Sequence, residues 1–136
     1  MTADALYGDA LRALAEAGRA SGRLAAADAT ATVDNPLCGD RVTLDVALDG
    51  DRIAAVGHEV KGCLLCEAAA AVVAAEACGH GRAEIAAWPA QVKAYLKATD
   101  APAPFDGLDA FAPARRFRSR HRCVSLAFEA LARALA

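Results

Sequence analysis

Residues 41–60 carry the strongest constraint in the chain. Val42, Leu44, Val46 and Leu48 alternate with Arg41, Thr43, Asp45 and Asp49. A period of two puts the apolar set on one face of a strand and the polar set on the other. Asp49-Gly50 supplies a hairpin turn, and residues 52–60 return as the antiparallel partner. Cys38 stands just before the first of these strands and Cys63 just after the second. Antiparallel pairing therefore brings the two ends of this segment together.

The remaining elements are arranged around this hairpin. Residues 4–18 read as an amphipathic helix, with Leu6, Leu11 and Leu14 on one face and Gly18 as its stop. Residues 30–33 form a short extended run leading into a turn at Asn35-Pro36, where proline biases Asn35 away from helix. Residues 63–78 read as a helix ended by Gly79, apolar on almost every side and so buried. Residues 82–98 are helical again, with Pro89 as a break or fresh start and Ile85, Trp88, Val92 and Tyr95 as the core stripe. Residues 101–104 make a stiff proline loop, and a last helix runs from about 119 to 134 with Cys123 in its first turns. The expected fold class is α+β, a small three-stranded antiparallel sheet with helices packed on one side. A single domain spans residues 1–136, long enough to bury a core without disulfides. Alanine fills 38 positions, half of the apolar fraction, which blurs helical periodicity outside the hairpin.

Charge and cysteine usage narrow the function classes. The net charge of −2 offers no global field for nucleic acid or anionic lipid. The start of the chain lacks a basic, then apolar, leader, and the longest apolar run, 68–75, is too short to span a bilayer. A cytoplasmic protein with reduced thiols is the expectation. There, five cysteines point to metal binding or catalysis before disulfides.

Cys38, Asp40, Cys63 and Cys123 are the candidate ligands. Four donors are what a tetrahedral zinc or an iron–sulfur cluster takes. Cys63 and Cys123 each fall near a predicted helix N-terminus, which favours thiolate. Asp40 is a harder and weaker ligand, so the set should exchange more readily than four thiolates. Cys66 lies three residues from Cys63 on the same helix face and either replaces Asp40, resolves a persulfide on Cys63, or packs under the site. Cys78 is roughly 22 Å along the helix from Cys63 and is assigned to the core. His58 reads as half-buried strand structure, His80 as a cation at a helix C-terminus, and His121, two residues from Cys123, as a replacement ligand, a neighbour of the site or a surface residue, the last two favoured. Arg115, Arg116 and Arg118 read as a solvated face. No aromatic platform accompanies them, which argues against nucleic acid.

The runs Asn35-Pro36-Leu37-Cys38-Gly39-Asp40, Gly62-Cys63 and Arg120-x-x-Cys123 resemble the U-type iron–sulfur cluster assembly scaffold family, the NifU N-terminal domain, IscU and SufU group. The resemblance covers nearly the whole chain. It is closest to the SufU branch, because 59 residues separate Cys63 from Cys123, Arg122 replaces a histidine, and a Leu-Pro-Pro-Val-Lys motif is missing. It departs from the family at Val60, where a glycine is usual, and in Leu64-Leu65-Cys66, where serines are more frequent.

The resemblance implies that Cys38, Asp40, Cys63 and Cys123 hold zinc, or alternatively a nascent [2Fe–2S] cluster. It implies a cysteine desulfurase as sulfur donor and downstream iron–sulfur proteins as acceptors. Cys38 is the expected persulfide acceptor and Cys123 the alternative, with Arg120 positioning the thiolates or the partner. Any catalysis would be that of a zinc-dependent sulfurtransferase. Two other classes compete: a thiol–disulfide redox protein built on Cys63 and Cys66, and a structural zinc module for protein interaction.

Overall fold

The computed structural model describes residues 8–36, 39–98 and 100–136. Cys38 and Leu6 lie outside the described residues.

The hairpin forms as its alternation requires. Strand β1 (Ala29–Asn35), β2 (Asp40–Asp49) and β3 (Arg52–Lys61) make an antiparallel meander in the order β1-β2-β3. Gly50 takes the left-handed conformation, φ 64°, at the first position of the two-residue turn between β2 and β3. Val42, Leu44 and Val46 pair with Val60, His58 and Val56 and face the helices. Cross-strand polar pairs line the opposite face: Arg41 with Asp34 at 2.6 Å and Thr32 with Thr43 at 3.0 Å.

Helices cover the inner face alone. Helix α1 (Asp9–Ser21) packs on α2 (Leu64–Glu76), and α2 lies against β3. Two short helices follow, α3 (Arg82–Ala86) and α4 (Trp88–Lys97). Helix α5 (His121–Ala134) lies across β1 and β2 and contacts α2 and α4. Leu65, Cys66 and every residue from Ala68 to Val73 on α2 are buried, as its apolar circumference predicts. Pro89 occupies the first turn of α4, where a missing N–H costs nothing, so it restarts the helix. Ile85, Trp88, Val92 and Tyr95 are all buried.

Gly18 does not end α1. The helix runs to Ser21 and is capped by Gly22 at φ 108°. Gly18 instead marks the closest approach of α1 to α2: a Cβ there would stand 3.0 Å from the Glu67 carbonyl and 3.2 Å from the Ala71 methyl. Leu108–Arg116 forms a 3₁₀ helix absent from the sequence expectation. Its buried residues Leu108, Phe111 and Ala114 recur every three positions, the period of that helix. Arg115 is not part of a solvated face, because its guanidinium stacks 3.8 Å over the Tyr95 ring.

Residues 22–28 cross the outer face of the sheet. The His58 N–H on the free edge of β3 donates to Gly22 O at 2.9 Å, and the Asp28 N–H donates to Val46 O on β2 at 2.8 Å. Beneath the crossing lies Asp45, 1% exposed, which accepts two Arg23 guanidinium bonds of 2.6 and 2.9 Å. It also accepts from the Leu24 N–H at 3.1 Å and the Thr30 hydroxyl at 2.7 Å. Gly57, paired with Asp45, makes room: a Cβ would come within 2.9 Å of Gly22 O.

His58 is more deeply placed than expected, at 4% exposure, with Nε2 lacking a hydrogen-bond partner. Burial lowers its pKa from 6.5. The unfolded chain therefore takes up the proton first, and stability is full above pH 6.5 and falls as pH drops below it. The expected slope is at most about 1.4 kcal/mol per pH unit. Denaturant titrations between neutral and mildly acidic pH should show this slope in the native chain and not in His58→Leu. An equal slope in both would refute the assignment.

Candidate metal centre

The start of β2, the start of α2 and the start of α5 meet at one end of the sheet. Asp40 is the first residue of β2, Cys63 caps α2, Cys66 lies in its first turn, and Cys123 is third in α5. One ligand atom from each of these four residues lies within 4.8 Å of the other three. Asp40 Oδ2 stands 3.2 Å from Cys66 Sγ, 3.4 Å from Cys123 Sγ and 3.9 Å from Cys63 Sγ. Zinc with ordinary bond lengths and tetrahedral angles separates oxygen from sulfur by about 3.5 Å. The donors thus fit a tetrahedral ion in chemistry and in spacing.

Local sequence explains the convergence. Gly39 adopts φ 74° and its N–H donates to Asn35 O at 2.9 Å, which closes the β1–β2 turn and sets Asp40 in place. The other Asp40 oxygen accepts the Cys63 N–H at 3.1 Å, tying the carboxylate to the mouth of α2. Gly62 permits this, since a Cβ there would collide with the Asp40 carboxylate.

The cluster splits its protons unevenly. Cys63 is pushed well down, because the Cys123 and Cys66 thiols donate to it, followed by the Cys66 and Leu65 N–H groups at the helix N-terminus. Cys66 is pushed up first by its hydrogen bonding with Cys123 and Cys63 and then by burial; Cys123 is pushed up first by its hydrogen bonding with Cys63, against the lowering effect of Cys66, and then by burial. One thiolate at the helix cap, held by two neighbouring thiols, is a ready first ligand for a soft cation.

Of the sequence-predicted residues, Asp40, Cys63 and Cys123 come together, and Cys66 joins them. Cys66 is fully buried, with its thiol facing Asp40 and the Cys123 carbonyl, which is 3.2 Å away. Arg120 caps α5, half-buried and one turn before Cys123. His121 turns elsewhere, its Nε2 lying 3.0 Å from Arg115 O. Cys78 is exposed, not core, because α2 ends at Glu76 before it and its thiol bonds back to Ala74 O at 3.6 Å. An open groove of about 420 Å³, lined by Asn35, Pro36, Gly39, Asp40 and Lys61 among others, adjoins the centre.

Fold and site together define a small α+β domain with a cysteine–carboxylate centre where one sheet end meets two helix N-termini. The chain belongs to the NifU-like N-terminal domain family, which matches residues 7–101. A nitrogen-fixing NifU-like protein (N-terminal) from Brucella abortus shares 31% identity with a TM-score of 0.86, covering 98% of this chain and 94% of that one. A candidate iron–sulfur cluster assembly scaffold protein for the SUF system from Fervidobacterium islandicum AW-1 has the same fold, with a TM-score of 0.89 at 21% identity, covering 99% and 100% of the two chains. A comparison with curated protein sequences finds no match.

Proposed function

We propose that this chain is a zinc-binding sulfur carrier and scaffold for iron–sulfur cluster assembly, served by a cysteine desulfurase and supplying downstream iron–sulfur proteins. The convergence of Asp40, Cys63, Cys66 and Cys123, whose ligand atoms all lie within 4.8 Å of one another, carries the reading. Family membership supports the process, and the SUF-system neighbour supports the SufU-like version of it. The proposed setting is cytoplasmic, without membrane or nucleic-acid partners. Among the described residues no helix is long and apolar enough to cross a membrane.

Zinc, when bound, supplies positive charge that keeps its thiolates ionised at neutral pH. Cys38 is the proposed acceptor. Its thiolate attacks the outer sulfur of the desulfurase persulfide; a new S–S bond forms on Cys38, the old one breaks, and the desulfurase cysteine leaves as thiolate. The proton count and oxidation level are conserved across the exchange. Cys123, 1% exposed, is the alternative acceptor. Arg120, at the same helix end, is proposed to position the incoming partner. A [2Fe–2S] cluster built on these thiolates would be cargo.

The dithiol alternative leaves the convergence of Asp40 and Cys123 on the Cys63–Cys66 pair unexplained. Desulfurase turnover with the native chain and Cys38→Ser tests the reading. Sulfur acceptance, seen by mass as one added sulfur atom, is expected to fall by at least about tenfold in the variant. Unchanged acceptance would remove Cys38 from the role. Tight zinc with no acceptance by the native chain would identify a structural module instead.

A further inference from the structure

Cys63-Leu64-Leu65-Cys66 opens α2 with a thiol at each end of its first turn. Cys63 is the N-cap, extended at φ −75° and ψ 169°, and Cys66 is the third helical residue. Their sulfurs lie within 4.8 Å of each other. We propose that this pair is a peroxide-sensitive redox site: in the metal-free chain a hydroperoxide closes a Cys63–Cys66 disulfide, and bound zinc prevents it. The protection by zinc rests on the metal reading above and deepens it, whereas the bond itself does not depend on that reading.

Of the three sulfurs in the described centre, Cys63 alone is not buried, so it meets an oxidant first. Cys66 is fully buried on a helix packed against α5 and β3, with its sulfur 3.2 Å from Asp40 Oδ2 and 3.2 Å from Cys123 O. It is shielded from direct oxidation yet faces Cys63 across one turn. Helix geometry sets residues three apart at about 5 Å between Cα atoms, inside the roughly 4.4–6.8 Å that a disulfide spans. The two sulfurs therefore meet by side-chain rotation, and no helix has to move. Cys123 stands on α5, and packed helices lie about 8–10 Å apart, so a bond to it would pin two elements together.

Hydrogen peroxide accounts for every atom and electron. The Cys63 sulfur attacks it, an S–O bond forms as the O–O bond breaks, and one water leaves. The Cys66 sulfur then attacks the Cys63 sulfur. The S–S bond forms, the S–O bond breaks, and the hydroxyl leaves with the Cys66 proton as a second water. The two thiols lose two electrons and the peroxide gains them. Cys63 is spared further oxidation and is withdrawn as a ligand until a thiol reductant restores it.

The full chain, reduced and freed of metal by chelation, would be treated with equimolar hydrogen peroxide and then with N-ethylmaleimide. Trypsin cuts after Lys61 and Arg82, so Cys63, Cys66 and Cys78 share one peptide. The expected product is that peptide two hydrogens lighter, with maleimide on Cys78 alone. Cys66→Ser should lose the bond and accumulate Cys63 sulfenic acid, trapped by dimedone, at least about tenfold over the native chain. Cys123→Ser should keep the bond. Circular dichroism would check the fold of both variants, and the native peptide map decides the matter even if either fails to fold. Zinc loading should slow disulfide formation by at least about tenfold, and dithiothreitol should restore zinc uptake to the oxidised chain. A bond from Cys63 to Cys123 or to Cys38, a Cys63 sulfenic acid that persists in the native chain, or equal rates with and without zinc would each overturn the inference. Chelator competition on the reduced chain reads the metal proposal separately. A reduced chain without affinity for zinc overturns that proposal, while the Cys63–Cys66 bond still stands or falls on the peptide map.

Discussion

Replacing Asp45 with alanine is expected to lower the unfolding free energy by about 3 kcal/mol, the lower end of what removing one partner of a buried ion pair costs. The lower end applies because the Arg23 side chain is 46% exposed and returns to water, whereas the Leu24 N–H and Thr30 hydroxyl lose their acceptor. The Arg23 hydrogen bonds, then those of Thr30 and Leu24, hold the Asp45 pKa down to about 2 from 3.8 against the effect of burial. A depressed folded pKa contributes stability above the unfolded value and loses it as pH falls through the folded one. The native chain should therefore shed about 2 kcal/mol between pH 4 and pH 2 at this site, and Asp45→Asn should not. Urea titrations across that range decide it. Parallel acid profiles for the two proteins would show that the crossing of residues 22–28 is held by something else.

Gly62→Ala is expected to weaken zinc binding by at least about tenfold, and by up to about a hundredfold, while sparing the fold. A Cβ at this position would stand 2.9 Å from Asp40 Cγ and 3.1 Å from Asp40 Cβ, so the carboxylate must turn away. That movement breaks its bond to the Cys63 N–H and withdraws the oxygen on which the three sulfurs converge. Gly62 is exposed and its φ is not positive, so alanine fits the backbone. Chelator competition would measure the affinity and thermal melts the fold. Native affinity in the variant would exclude Asp40 as a ligand.

Most of the fold was legible because its signals are local. The alternation through Val42, Leu44 and Val46, the apolar circumference of α2 and the stripe from Ile85 to Tyr95 each encode an element directly. Features that depend on a neighbour were not legible. Gly18 looks like a stop until α2 is seen pressed against it, and Asp45 looks solvated until residues 22–28 lie over it. Three of the four predicted ligands were placed by the hairpin and helix starts around them, except that Cys38 falls outside the described residues. Cys66 and Cys78 separate in the sequence by their distance from Cys63, but the assignment of Cys78 to the core assumed a helix that continues through it. That helix ends at Glu76, and Cys78 is exposed.

The contact between Cys123 and Asp40 spans 83 positions of the chain. A metal shared by those two residues and by Cys63 and Cys66 would be a reversible crosslink closing a loop of that length. In the chain-entropy picture such a closure restrains the unfolded chain by roughly 4–5 kcal/mol. The centre would then be a clasp for the whole domain as well as a place for sulfur, and metal loading and global stability would rise and fall together.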